Sequence, residues 1–194
     1  GLATTGKIPF ATGFACFLLG RTMDQMLVSV AYSNTNVKLV GTHCGLAVGE
    51  DGPPAQMIVD LAYTRAMPNM TVIQPADFEE AFQATLALVQ HVGPAYLRLG
   101  RPSVKGVYDS SHQFRIGKGH VLKQGTDVVI FATGIMVQES LKEIETLSNE
   151  KINATLVNIS TIKPIDRELI IEQARKNGAV VTAEDHNKKQ AKPV

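Results

Sequence analysis

Along this chain, short apolar, β-prone runs alternate with longer stretches whose apolar residues recur at helical spacing. That alternation restricts the fold more than any other feature. A strand, a helix and a second strand in that order bring the two strands together in parallel. The pattern therefore predicts an α/β protein made of two βαβ-type units with mostly parallel sheets. In the first half, residues 7–10, 36–42, 70–74 and 94–99 read as strands. Helices are expected over 11–32, over 54–67 with Pro54 at the start, and from Pro75 and Asp77 to about 91. Apolar runs at 127–133, 154–159 and 179–183 predict strands in the second half, with helices over 137–147 and 167–176 between them.

The stretch from 102 to 125 carries no long helical period and is rich in Ser, Gly and Lys. Residues 105–126 read as a linker and an entering hairpin, which separates a unit over 1–104 from a second, incomplete one over 127–194. Charge follows this division: the first 104 residues hold 6 basic and 7 acidic side chains, the remainder 13 and 11. A formal net charge of +1 gives no electrostatic reason to expect nucleic acid or an anionic membrane as partner. No apolar run reaches the roughly 18–20 residues of a membrane span. Cys16 and Cys44, both in apolar or Gly-flanked surroundings, read as reduced thiols of a cytoplasmic protein. The sequence opens on Gly1 rather than Met, as a fragment would, and residues 188–194 read as a solvated basic tail.

Chemistry concentrates in the stretch from Gly41 to Pro54, just past the carboxyl end of a predicted parallel strand, where open α/β sheets place their ligands. His43 suits hydrogen bonding or proton transfer with an oxygen substrate. Asp51 follows eight residues on, and Gly45, Gly49 and Gly52 permit tight turns close to a ligand. On spacing alone, a His at a strand end is more often a hydrogen-bonded structural residue than a functional one.

The motifs add a resemblance. Pro9-Phe10, Phe14, Phe17, Arg21 and Asp24-Gln25 come first, then Thr42-His43-Cys44-Gly45 and Gly49-Glu50-Asp51-Gly52-Pro53. Ile73-Gln74-Pro75-Ala76-Asp77 and Arg98-Leu99-Gly100-Arg101 continue the series. In that order they resemble the pyrimidine-binding domain of transketolases, thiamine diphosphate enzymes that move two-carbon ketol units between sugar phosphates. Gly134-Ile135, Thr161-Ile162-Lys163-Pro164-Ile165-Asp166 and Ala183-Glu184-Asp185-His186 are similar to the family's C-terminal domain.

The resemblance implies the pentose phosphate pathway and assigns roles. Phe14 and Phe17 match aromatic residues that lie against the cofactor's aminopyrimidine. His43 matches a catalytic, substrate-binding histidine that bonds the reacting oxygens of the sugar and assists proton movement. Asp51 matches a carboxylate that recognises a substrate hydroxyl, and Arg101 an arginine that grips the terminal phosphate. Arg98 reads instead as structural or salt-bridged. Two departures stand out. Ala55 occupies a position where many members place His or Gln, and the family's catalytic Glu and its metal-and-diphosphate segment have no counterpart here. The resemblance therefore implies no metal ligand in this chain, with Mg²⁺ or Ca²⁺ and the diphosphate held outside it, in a homodimer or a heterotetramer with a diphosphate-binding domain. Other readings are deoxyxylulose-phosphate synthase, the β-subunit of a 2-oxoacid dehydrogenase, and a non-catalytic assembly subunit.

Overall fold

In the computed structural model, which describes residues 1–187, the chain forms two sheets. Strands β1 (Phe10–Phe14), β2 (Lys38–Thr42), β3 (Thr71–Ile73) and β4 (Ala95–Arg98) run parallel in the order β1-β2-β4-β3. In the second half, β5 (His120–Lys123) pairs antiparallel with β7 (Ala154–Asn158), and β6 (Val128–Ala132) lies parallel between β7 and β9 (Ala179–Ala183). The short β8 (Thr161–Lys163) crosses back and pairs antiparallel with β3, so the first sheet is completed by residues of the second half.

Helices α1 (Ala15–Gln25), α2 (Asp60–Ala66) and α3 (Phe78–Gln90) belong to the first half; α4 (Met136–Asn149) and α5 (Arg167–Lys176) belong to the second. One face of the first sheet packs Leu39, Val72 and Tyr96 against Leu19, Met26 and Leu61 of the α1 and α2 side. The other face packs Val40, Ile73 and Leu97 against Ala84 and Leu88 of α3, together with Phe114 and Ile116 from the connecting segment. The start of α3 follows from its sequence. Asp77 Oδ1 accepts the Glu80 N–H at 2.9 Å, while Glu80 Oε2 accepts the Ala76 N–H at 2.7 Å, so two otherwise orphaned donors are satisfied.

Four expectations shift. The first strand covers Phe10–Phe14 rather than 7–10, because Lys38–Thr42 takes these residues as its parallel partner from end to end. The helix after it runs to Gln25 and continues as a π-helical segment over Met26–Tyr32. The helix expected from Pro54 begins only at Asp60; before it, two 3₁₀ turns over Gly49–Asp51 and Pro53–Ala55 follow the Gly and Pro positions. No hairpin enters the second unit: β5 finds its partner in β7, beyond β6 and α4 in the sequence. The basic tail at 188–194 lies outside the described residues.

Candidate functional site

The carboxyl ends of β1 and β2 meet where the chain turns from Thr42 into His43. In parallel register Phe14 pairs with Thr42, so Phe10, Thr12 and Phe14 face the same side of the sheet as Lys38, Val40 and Thr42. Phe14 closes β1 and Phe17 lies in the first turn of α1. Their rings stack with centroids 5.9 Å apart and planes within 7°. His43 stacks on Phe14 at 3.7 Å with planes 17° apart, and the Arg21 guanidinium lies 4.5 Å over the Phe17 ring. Such pairs contribute about 0.5–1.5 kcal/mol each beyond buried area. Imidazole, two phenyl rings and a guanidinium thus form one ladder. Phe17 remains 44% exposed, so the ladder borders solvent.

His43 holds this place at a backbone cost. Its φ is +56°, in the left-handed region that an L side chain enters for about 1–2 kcal/mol. Local bonds offset the strain. His43 Nδ1 lies 3.0 Å from Thr42 Oγ1, whose hydroxyl donates in turn to the Gly13 carbonyl at 3.4 Å. Strain retained at a strand end, beside a flat aromatic surface, marks a geometry that the surroundings enforce.

Arg101 and Asp51 come together across the loop. Arg101 Nη1 lies 3.3 Å from Asp51 Oδ2, and Nη2 lies 3.5 Å from Glu50 Oε2. The same guanidinium donates to the Val48 carbonyl. Arg101 keeps 34% and Asp51 41% of its side chain exposed, so this pair stays open to a ligand. His43 touches the aromatic ladder, and Arg101 and Asp51 touch each other; no direct contact joins the two groups. Ala55 is buried, and the neighbouring Gln56 donates to the Leu46 carbonyl at 3.1 Å.

Behind the loop lies a buried ionic network that no local sequence pattern announces. Asp60 Oδ2 accepts from Tyr96 Oη and from Arg98 Nε, both at 2.7 Å, and all three residues are sealed from solvent. Burial works against the Arg98 charge, yet the Asp60 carboxylate outweighs it and holds the guanidinium above its usual range. The expectation that Arg98 is salt-bridged thus has a physical basis. Cys44 Sγ lies 3.3 Å from Tyr96 Oη, and burial pushes its thiol up to about 12, which keeps it protonated and unreactive. From the second half, His186 Nε2 sits 3.6 Å from Asp60 Oδ1, and burial lowers its basicity. Arg98 Nη2 donates to the Asp185 carbonyl at 2.9 Å, and Asp185 Oδ1 accepts the Leu46 N–H at 2.8 Å.

Two family models match this chain: the transketolase pyrimidine-binding domain over residues 1–106 and the transketolase C-terminal domain over 117–191. Over 185 residues it is 40% identical to a 6-deoxy-6-sulfo-D-fructose transketolase subunit of Clostridium sp. (strain MSTE9), covering 95% of this chain and 58% of that protein. An apulose-4-phosphate transketolase subunit from Phocaeicola vulgatus is 35% identical, with 97% of this chain and 61% of the relative covered. Among solved structures, a split-gene transketolase described as an inactive β4 tetramer superposes with a TM-score of 0.88 at 44% identity, over 95% of this chain and 60% of that one. The chain spans about three-fifths of the length of each of these proteins. Sequence, fold and the order of the two matched regions agree, and the chain belongs to the transketolase family.

Proposed function

We propose that this chain supplies the pyrimidine-binding and C-terminal part of a transketolase, a transferase that moves a two-carbon ketol unit between sugar phosphates with thiamine diphosphate. The observation that carries this reading is the ladder of Phe17, Phe14 and a strained His43 at the carboxyl ends of β1 and β2. A flat, partly exposed aromatic surface fits an aminopyrimidine ring, so Phe14 and Phe17 are assigned to hold it. When bound, the cofactor supplies the carbon nucleophile that cleaves and remakes the ketol carbon–carbon bond. The protein's share is orientation and proton handling. With the Thr42 hydroxyl committed to Gly13, His43 Nδ1 is the donor to Thr42 Oγ1, and Nε2 is left free to accept a proton or a hydrogen bond from a sugar hydroxyl. Asp51 is assigned to a substrate hydroxyl and Arg101 to the terminal phosphate. The contact with Asp51, at 3.3 Å and partly exposed, holds the guanidinium until phosphate oxygens compete for it.

A partner completes the site. Phe10 and Phe14 face the side of the sheet that also carries α3, whose outward surface exposes Phe78, Phe82 and Leu86. So much apolar surface on that side of the sheet suits a diphosphate-binding domain, in a homodimer or a heterotetramer. That domain is assigned the Mg²⁺ or Ca²⁺ and the diphosphate; among the described residues, no group of three His, Cys, Asp or Glu is placed to hold a metal ion. The names of the relatives, transketolase subunits in two cases, favour ketol transfer over deoxyxylulose-phosphate synthesis or 2-oxoacid decarboxylation. The related split-gene structure, an inactive β4 tetramer, supports a second point: without its partner, this part of the enzyme is inactive. Residues 1–104 and 127–194 are assigned to the two units, and two free cysteines suit a cytoplasmic setting. Among the described residues no helix is long and apolar enough to cross a membrane.

The test mixes this chain with its diphosphate-binding partner, thiamine diphosphate and Mg²⁺, and offers xylulose phosphate with ribose phosphate, or pyruvate. Ketol transfer between the sugars is expected. Turnover of pyruvate without sugar exchange would assign the chain to another branch of thiamine enzymes.

A further inference from the structure

The Glu184-Asp185-His186 motif lies in the second half, far along the chain from His43, and ketol transfer by His43, Asp51 and Arg101 leaves it without a role. The structure nonetheless brings it against the loop that carries His43. Asp185 is 8% exposed, and its Oδ1 accepts the Leu46 N–H at 2.8 Å. Its carboxylate lies so close to Gly45 that a Cβ there would stand 1.7 Å from Oδ2, and Gly45 itself sits at φ +79°. Leu46 and Gly45 are within three residues of His43, and the first unit already ties this stretch: Cys44 is fully buried, the Gly45 N–H donates to the Met57 carbonyl at 2.8 Å and Gln56 donates to the Leu46 carbonyl at 3.1 Å, while the Leu46 N–H is held by Asp185. The main chain of the motif is fixed as well: Arg98 Nη2 donates to the Asp185 carbonyl at 2.9 Å, and the Asn187 N–H donates to the Ile58 carbonyl at 3.1 Å. Arg98 is in turn locked to Asp60.

We propose that Asp185 is a positioning residue: the second unit reaches across with this carboxylate to hold the 43–46 loop so that His43 stays stacked on Phe14 in its left-handed conformation. This rests on the reading of His43 as a catalytic residue. The C-terminal unit then contributes to the reaction through geometry, without touching substrate. A buried, hydrogen-bonded carboxylate bound to a backbone N–H is a strong anchor, because its bond is charge-assisted and shielded from water.

The test uses the complete enzyme, with its partner, thiamine diphosphate and Mg²⁺, and compares His43→Ala, Asp185→Ala, Asp185→Asn and the double variant His43→Ala/Asp185→Ala. Misplacing a catalytic group by about 1 Å costs up to roughly 10²-fold, so Asp185→Ala is expected to lower kcat about 10- to 100-fold with KM changed less than about threefold. Asp185→Asn keeps an acceptor for the Leu46 N–H and is expected to recover most of kcat. If Asp185 acts through His43, the double variant falls no further than His43→Ala, within about twofold; a contact serving only stability would not produce that coupling. Where Asp185→Ala fails to assemble, Asp185→Glu takes its place: it keeps the charge but moves the oxygens by one methylene, and the same loss in kcat is expected. Two results overturn the proposal: full kcat in the Asp185→Ala or Asp185→Glu enzyme, or losses that multiply in the double variant. Unchanged kcat in His43→Ala alone would instead overturn the reading of His43, and the single variants separate the two failures.

Discussion

Replacing Gly45 by Ala isolates how rigidly the second unit grips the site loop. Two effects add. An Ala at φ +79° meets left-handed strain of about 1–2 kcal/mol, partly offset by about 0.4–1 kcal/mol from the reduced freedom of the unfolded chain, for a net cost near 1 kcal/mol. The added Cβ would also stand 1.7 Å from Asp185 Oδ2 and 2.3 Å from its Cγ, so the carboxylate must leave. Losing its bond to the Leu46 N–H costs about 1.5–3 kcal/mol, the range for a hydrogen bond to a charged group. The sum is about 3 kcal/mol, a large share of an ordinary stability of about 5–15 kcal/mol. In a chain of this length it lowers Tm by about 6–12 °C. Gly6 provides the control. Its φ is +81°, almost the same, but a Cβ there meets nothing within 4 Å, so Gly6→Ala carries the backbone cost alone. Urea unfolding of both variants, followed by far-ultraviolet circular dichroism, measures the difference. Gly45→Ala is expected to lose about 2 kcal/mol more than Gly6→Ala, the share that comes from the displaced carboxylate. Equal losses would mean that the Asp185 carboxylate moves aside freely and does not clamp the loop.

Two further outcomes are expected. Arg101→Ala should raise KM for phosphorylated sugars far more than for their non-phosphorylated counterparts in steady-state kinetics; equal effects would remove Arg101 from the phosphate site. Burial raises the Glu80 carboxyl above its ordinary 4.5, against the opposing pull of the Ala76 N–H and the Asn158 amide. A carboxyl whose folded value is raised holds its proton better in the native state, so its contribution to stability is full below about 4.5 and is lost as pH rises through the folded value. Relative to wild type, Glu80→Gln should therefore gain stability as pH climbs from 4.5 toward neutrality, read from denaturation midpoints at each pH. A difference that stays constant across that range would contradict the raised value.

Much of the fold is legible in the sequence because it rests on local signals. Asp77 announces α3 through a cap that it makes with its own helix, and the apolar run 127–133 contains β6 whole. The displaced first strand shows where such signals fail. Along Phe10–Phe14 the more exposed face carries Phe10 and Thr12, with Phe14 on the same side, so apolar content gives no sign of which side is core, and pairing with β2 decides the register. Thr161–Lys163 is too short to show a period and becomes a strand only because Val72 and Ile73 offer an open edge. At the site, Phe14, Phe17 and His43 stand out by their motif, and the fold brings their rings into one stack. Asp60 and Tyr96 do not, and the motif that contains Asp185 gives no sign of its partner. Their contacts span 36 to 139 residues of sequence, and only a buried Arg inside an apolar strand hints that a carboxylate has to lie opposite.

The central claim is that these residues form one wall of a thiamine diphosphate pocket whose other wall belongs to a partner. Isothermal titration with thiamine diphosphate and Mg²⁺ addresses it most directly, first with this chain alone and then with the diphosphate-binding partner added. No saturable heat is expected from the chain alone, and stoichiometric binding once the partner is present. Tight binding by the solitary chain, unchanged when the partner is added, would contradict it.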